Sequence, residues 1–131
     1  METPKRRYVA HEGNEQEALF SWALYAAGAM PELGLMFHVP NGGSRNRIEA
    51  AKLKRQGVRA GVPDICLPVA RGGFHGLFVE LKYGRNKATD RQTAWLDALR
   101  SQGYLAVECV GWDIAREVIT KYLKGEIKNG M

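Results

Sequence analysis

Pro63-Asp64-Ile65-Cys66-Leu67-Pro68-Val69, followed beyond Arg71-Gly72-Gly73 by Leu77-Phe78-Val79-Glu80-Leu81-Lys82, is the stretch whose reading decides the fold. Each run is short, apolar and bounded by turn-forming residues, which predicts two strands paired as a hairpin or lying as near neighbours in a sheet. Side chains at i and i+2 of a strand share a face, so Glu80 and Lys82 project together. A neighbouring strand that starts at Asp64 can bring a second carboxylate to the same spot.

Outward from this pair, the chain alternates helix and strand patterns. Upstream, Ala18, Leu19, Trp22, Ala23 and Ala26 recur at spacings of three and four, predicting an amphipathic helix from about Glu12 to Met30 that Pro31 ends. Leu35 to Val39 has strand character and runs into the turn cluster Pro40-Asn41-Gly42-Gly43. A basic helix follows, roughly Arg47 to Gln56, whose apolar positions define no clean face and predict only partial packing. Downstream, Thr89 with Gln92 three residues on is a capping-box pattern, opening a helix with Gln92, Trp95, Leu96 and Leu99 along one side. Gly103 stops it. Tyr104 to Val110 reads as a further strand, and Asp113 as the cap of a last helix through Ile114, Val118 and Tyr122. This order describes an α/β domain, a mixed central sheet flanked by helices. The expected organisation is a flexible basic N-terminal arm over residues 1–11, one domain over 12–124 and a C-terminal tail over 125–131.

Composition fits one soluble domain: 131 residues, 45% apolar and 25% charged. No signal segment is recognisable and no apolar run approaches the roughly 20 residues needed to span a bilayer, so a cytoplasmic location is expected. Cys66 and Cys109 have no CxxC partner or companion His, which argues against a zinc site or a disulfide framework and for buried strand thiols. Nineteen Lys and Arg against fourteen Asp and Glu give a formal charge of +5. That excess favours a polyanionic partner, weakly by itself. It is concentrated: Arg45, Arg47, Lys52, Lys54, Arg55 and Arg59 lie close together, as either a solvated helix face or a set of phosphate contacts.

Paired carboxylates repel, and the grouping of Asp64, Glu80 and Lys82 makes chemical sense if a hard divalent cation sits between the acids; oxygen ligands together with substrate phosphate suit Mg²⁺, with Mn²⁺ as the alternative. Such an ion polarises a scissile phosphate, and the lysine orients the attacking water or stabilises developing charge. The competing reading makes Glu80 and Lys82 a solvated pair at a strand end and Asp64 a turn residue. His38 and His75 are read as structural histidines in preference to general bases.

PD followed by ExK resembles the signature of the PD-(D/E)xK nuclease superfamily. The longer string Asn41-Gly-Gly-Ser-Arg-Asn-Arg through Val62-Pro-Asp-Ile-Cys-Leu-Pro68, then Gly76-Leu-Phe-Val-Glu-Leu-Lys82, Gln92, and Gly103-Tyr, Gly111-Trp, Ala115, Ile119 and Tyr122-Leu123, is similar to the VRR-NUC family from about Glu12 to Leu123. The resemblance implies a restriction-endonuclease-like core, a divalent metal and phosphodiester hydrolysis. It also implies a stand-alone type encoded by a phage or prophage in a bacterial host cell, a homodimer that cuts branched DNA such as Holliday junctions. On the same ground Asp64 and Glu80 match metal ligands, with the Leu81 backbone carbonyl as a third contact, and Lys82 matches the catalytic lysine. Gln92 matches a helical glutamine of the site. Glu12, four residues before Gln16, fits the family's helix acid and is a further candidate ligand, with Glu15 as the alternative. Asn41, Gly42, Gly43 and Arg45 match a loop suited to approach a phosphate. Rival functions are cleavage of flap, nicked or duplex DNA without junction preference, and a non-catalytic nucleic-acid-binding module.

Overall fold

The computed structural model describes residues 12–40 and 46–130, the Glu12 side chain excepted. The expected N-terminal arm and the loop residues Asn41, Gly42, Gly43 and Arg45 therefore lie outside the described residues. The elements are α1 (Glu12–Ala26), a 3₁₀ turn (Pro31–Leu35), β1 (Phe37–His38), α2 (Arg47–Arg55), β2 (Ile65–Leu67), β3 (Leu77–Lys82), α3 (Asp90–Ser101), β4 (Leu105–Val110) and α4 (Trp112–Leu123). The four strands form one sheet in the order β1-β2-β3-β4. β1–β2 and β2–β3 are antiparallel and β3–β4 is parallel, so the sheet is mixed and the hairpin expected from the sequence is present. A parallel neighbour needs a crossover, and α3 supplies it.

Alternation along β2 and β3 divides the molecule into two layers. Ile65, Leu67, Leu77, Val79 and Leu81 face a core completed by Leu19 and Ala23 of α1 and by Ala115, Ile119 and Tyr122 of α4. Tyr122 is fully buried and keeps its hydroxyl satisfied by donating to the Val69 carbonyl at 2.6 Å. The intervening residues Phe78, Glu80 and Lys82 face the other side, where α3 crosses. That second face carries the polar cluster, because a strand that buries one set of side chains must present the other set elsewhere.

Several boundaries differ from those expected. The first helix stops at Ala26, not Met30, and the first strand shrinks to Phe37–His38 because the chain from Pro31 closes into a 3₁₀ turn, with Leu33 N–H donating to the Met30 carbonyl and Met36 N–H to that of Leu33. Leu33 is thereby buried. β2 is likewise shorter than its apolar run. Asp113 does not cap the last helix: Gly111, at φ 94°, is the N-cap and Asp113 lies in the first turn. α2 forms where expected, with the Asn46 side chain accepting from the Glu49 N–H at 2.7 Å, and none of its residues is buried. Cys66 and Cys109 are both buried free thiols. Among the described residues no helix is long and apolar enough to cross a membrane.

Candidate active site

The register of β2 and β3 builds the site. Ile65 pairs with Val79, so one step along Asp64 stands opposite Glu80, and directly opposed residues of an antiparallel pair share a face. Both carboxylates are withdrawn from solvent, Asp64 to 6% exposure and Glu80 to 0%. The Leu81 N–H donates to Asp64 Oδ2 at 2.9 Å, which locks the aspartate side chain onto β3. Its main chain is held from the other side, where the Asp64 carbonyl accepts from the Val39 N–H at 2.6 Å and lies 2.9 Å from His38 Nδ1. His38 thus acts on the Asp64 backbone. His75 stacks edge-on to Tyr104, away from the carboxylates.

The Leu81 carbonyl belongs to the same surface. A strand residue directs its N–H and C=O to the same neighbour, and the Leu81 N–H points at Asp64, whereas the Lys82 carbonyl turns to β4 and accepts from the Gly111 N–H at 2.8 Å. Two carboxylates and one main-chain carbonyl therefore converge between β2 and β3.

Lys82 is 7% exposed, with Nζ 3.1 Å from Glu80 Oε2 and donating to Gln92 Oε1 at 2.8 Å. Gln92 reaches it from the first turn of α3, on the sheet face opposite α1 and α4. Burying an ammonium and a carboxylate costs several kcal/mol per ion unless they are paired and hydrogen-bonded; the ion pair with Glu80 and the hydrogen bond to Gln92 offset that cost for Lys82.

Hard oxygen donors are what Mg²⁺ or Mn²⁺ takes, and Mg²⁺ is commonly held by one or two carboxylates with water and substrate phosphate filling the remaining positions. Asp64, Glu80 and the Leu81 carbonyl fit that demand. Among the described residues no group of three or more His, Cys, Asp or Glu side chains gathers into a site by itself. The Glu12 side chain, the expected further ligand, lies outside the described residues. Its alternative, Glu15, is 5% exposed and accepts from the Trp112 N–H at 2.8 Å, at the junction where β4 passes into α4.

The basic residues Arg47, Lys52, Lys54, Arg55 and Arg59 are all exposed, on α2 and the turn beyond it. Sequence reasoning missed a second basic segment. Arg85 and Lys87, in the loop after Lys82, line an open cleft of about 580 Å³ with Asn86, Thr93 and Glu108, and Glu108 is the β4 partner of Glu80. The signal was available: two basic residues within five positions of the site lysine.

Known proteins bear on the family and the fold in two ways. The family model of the VRR-NUC domain matches residues 9–113. A solved structure described as a VRR_NUC domain protein superimposes with a TM-score of 0.71 and 31% sequence identity, over 92% of this chain and 98% of its own. No curated protein matches the chain.

Proposed function

Because this chain belongs to the VRR-NUC family of nuclease domains, we propose that it is a metal-dependent, structure-selective DNA endonuclease of the PD-(D/E)xK type, whose preferred substrate is branched DNA such as a Holliday junction. The observation that carries the reading is the opposition of Asp64 and Glu80 on one buried face with the Lys82 ammonium 3.1 Å from Glu80. A degenerate, merely binding copy of the fold has no need to keep two acids and a lysine together at the cost of desolvating all three.

Asp64, Glu80 and the Leu81 carbonyl would hold Mg²⁺, or Mn²⁺ in its place; the ion supplies Lewis-acid polarisation of the phosphate and lowers the pKa of an attacking water. The chain's own residues do the positioning. Lys82, with its ammonium steadied by Glu80 and Gln92, donates to a phosphate or water oxygen and stabilises the charge that develops as water oxygen bonds to phosphorus and the bond to the leaving sugar oxygen breaks. Arg85 and Lys87 on one side, and Arg47, Lys52, Lys54, Arg55 and Arg59 on α2, are suited to backbone phosphates, which supply affinity without reading bases. Asn41, Gly42, Gly43 and Arg45 are proposed to join them, and Glu12 to approach the metal.

A four-way junction offers two symmetry-related strands for cutting, so a small enzyme acting on it is expected to be a homodimer with two sites about a two-fold axis. The same reading places the chain in a bacterial cytoplasm as a phage or prophage product. The test is cleavage of a labelled four-way junction beside flap and matched linear duplex, with Mg²⁺, with EDTA, and with Glu80→Ala. Junction cutting that needs metal and is lost in the variant supports the reading. Equal rates on all three substrates remove the junction preference, and binding without cutting in either Mg²⁺ or Mn²⁺ removes the enzyme.

A further inference from the structure

The oxygen that receives the Lys82 ammonium also closes the N-terminus of a helix. Gln92 Oε1 accepts from Lys82 Nζ at 2.8 Å and from the Thr89 backbone N–H at 2.9 Å, while the Gln92 N–H donates to Thr89 Oγ1 at 3.2 Å. The last two bonds form the capping box of α3. We propose that Thr89 is a positioning residue for the cleavage reaction: its capping box fixes the Gln92 side chain so that its oxygen, and not its nitrogen, faces Lys82.

Donor and acceptor chemistry decides the orientation of that amide. A glutamine amide has an accepting oxygen and a donating NH₂ of nearly the same shape; a lone lysine, all donor, selects the oxygen but leaves the flexible side chain free to swing away. Here two donors, a main-chain N–H and an ammonium, converge on one point, and only the oxygen can accept both. Thr89 sits at φ −73° and ψ 168°, the extended geometry of an N-cap, which directs its N–H at the Gln92 side chain, and Thr89 Oγ1 holds Gln92 in that first turn. Gln92 accepts one ammonium proton and the Glu80 carboxylate holds the charge from 3.1 Å, so the lysine head is fixed from two sides. The cap therefore sets the lysine, through Gln92, to a geometry that catalysis requires within a fraction of an ångström.

This role for Thr89 rests on the reading of Lys82 as the reaction's lysine. It is tested with Thr89→Ala and Thr89→Ser in the full chain, at a temperature where both are folded. Thr89→Ala should lower kcat about 10-fold with KM for the DNA unchanged, since misplacement of a reacting group costs rate and not substrate affinity. Thr89→Ser, which keeps the accepting oxygen, should restore it. A second readout needs no metal or substrate: ¹⁵N relaxation of the Gln92 side-chain amide should be rigid in the native protein and in Thr89→Ser, and mobile in Thr89→Ala. A Thr89→Ala protein with native kcat and a rigid Gln92 amide overturns the proposal, as does a loss that Thr89→Ser fails to repair. Lys82→Ala separates the two readings. If it leaves cleavage intact, the assignment of Lys82 is wrong; if it abolishes cleavage while Thr89→Ala is silent, only the role of Thr89 falls.

Discussion

The carboxylate of Glu15, in the first turn of α1, accepts the N–H of Trp112, the first residue of α4, at 2.8 Å across 97 positions of sequence. Gly111 offers no side chain for the exposed amides of that helix, so an acid from another element takes the capping role. A carboxylate there also meets the positive end of the helix dipole. Glu15→Ala should therefore cost about 2 kcal/mol, the upper range for loss of a cap, and lower Tm by about 7 °C for a chain of this size. Thermal unfolding measures it, and a drop under about 1 °C would deny Glu15 that role. Glu15→Gln, which keeps an accepting oxygen and loses the charge, should fall between the two.

That contact also marks where the sequence stops being legible. The period-two pattern of β3 and the pairing of Asp64 with Glu80 follow from local alternation, and the capping box at Thr89 follows from residue types three apart, so the carboxylate-bearing face and α3 are readable without coordinates. Glu15 is different. Its helical spacing to Leu19 says only that it lies on the buried side, and nothing local names Trp112 as its partner. The same non-locality explains Asp113, a sound capping residue by type displaced by a glycine at φ 94°. β1 is shorter than its apolar run because such a run cannot distinguish a strand from a 3₁₀ turn that tucks Leu33 into the core.

Lys82→Ala should destabilise the fold as well as stop cleavage. It leaves the fully buried Glu80 carboxylate without its ammonium, a loss of about 3–5 kcal/mol where one member of a buried pair is removed. If Asp64 and Glu80 bind Mg²⁺, adding the ion without DNA should raise the Tm of this variant, because a ligand that binds only the folded state stabilises it by mass action. Calorimetry with Mg²⁺ against EDTA decides. A Tm indifferent to Mg²⁺ in both the variant and the native protein would count against metal binding at this face.

Charge reversal on α2 separates affinity from chemistry. Lys52→Glu with Arg55→Glu should weaken DNA binding and flatten its salt dependence, the slope of log K against log salt falling by about 0.9 for each phosphate the protein no longer neutralises. The rate at saturating DNA should hold, since both residues are exposed on α2 whereas the carboxylates are buried. α2 buries none of its residues, so Tm should change little. Unchanged affinity at low salt would make this basic face a solvated surface.

Gly72 sits at φ 60°, and a Cβ placed on it would run into the Ile127 carbonyl oxygen. The same turn accepts the Asn129 N–H at the Gly72 carbonyl, 2.8 Å away, so the C-terminal segment is docked on the β2–β3 connection. Gly72→Ala should release residues 126–130 and cost roughly 1–3 kcal/mol through the strained backbone. Hydrogen exchange at the Asn129 amide is the direct readout. Retained protection there would mean the segment does not depend on this turn.

Burial, assisted by the neighbouring Glu108 charge, pushes the Cys109 thiol up to about 11. Burial alone also raises Cys66. In the unfolded chain a thiol releases its proton near its ordinary value, so above about pH 9 the unfolded state binds fewer protons than the folded one. Stability is therefore full below that pH and is lost as pH rises toward 11, by roughly 2–3 kcal/mol from Cys109 for a shift of about two units. Urea unfolding at about pH 8 and about pH 10.5, on either side of the ordinary thiol value, should show the fall in native protein and a smaller one in Cys109→Ala, whose loss at the lower pH is that of a small buried side chain. Identical pH slopes in the two proteins would mean that other groups govern the alkaline limb and that the thiol titrates near its ordinary value in the fold.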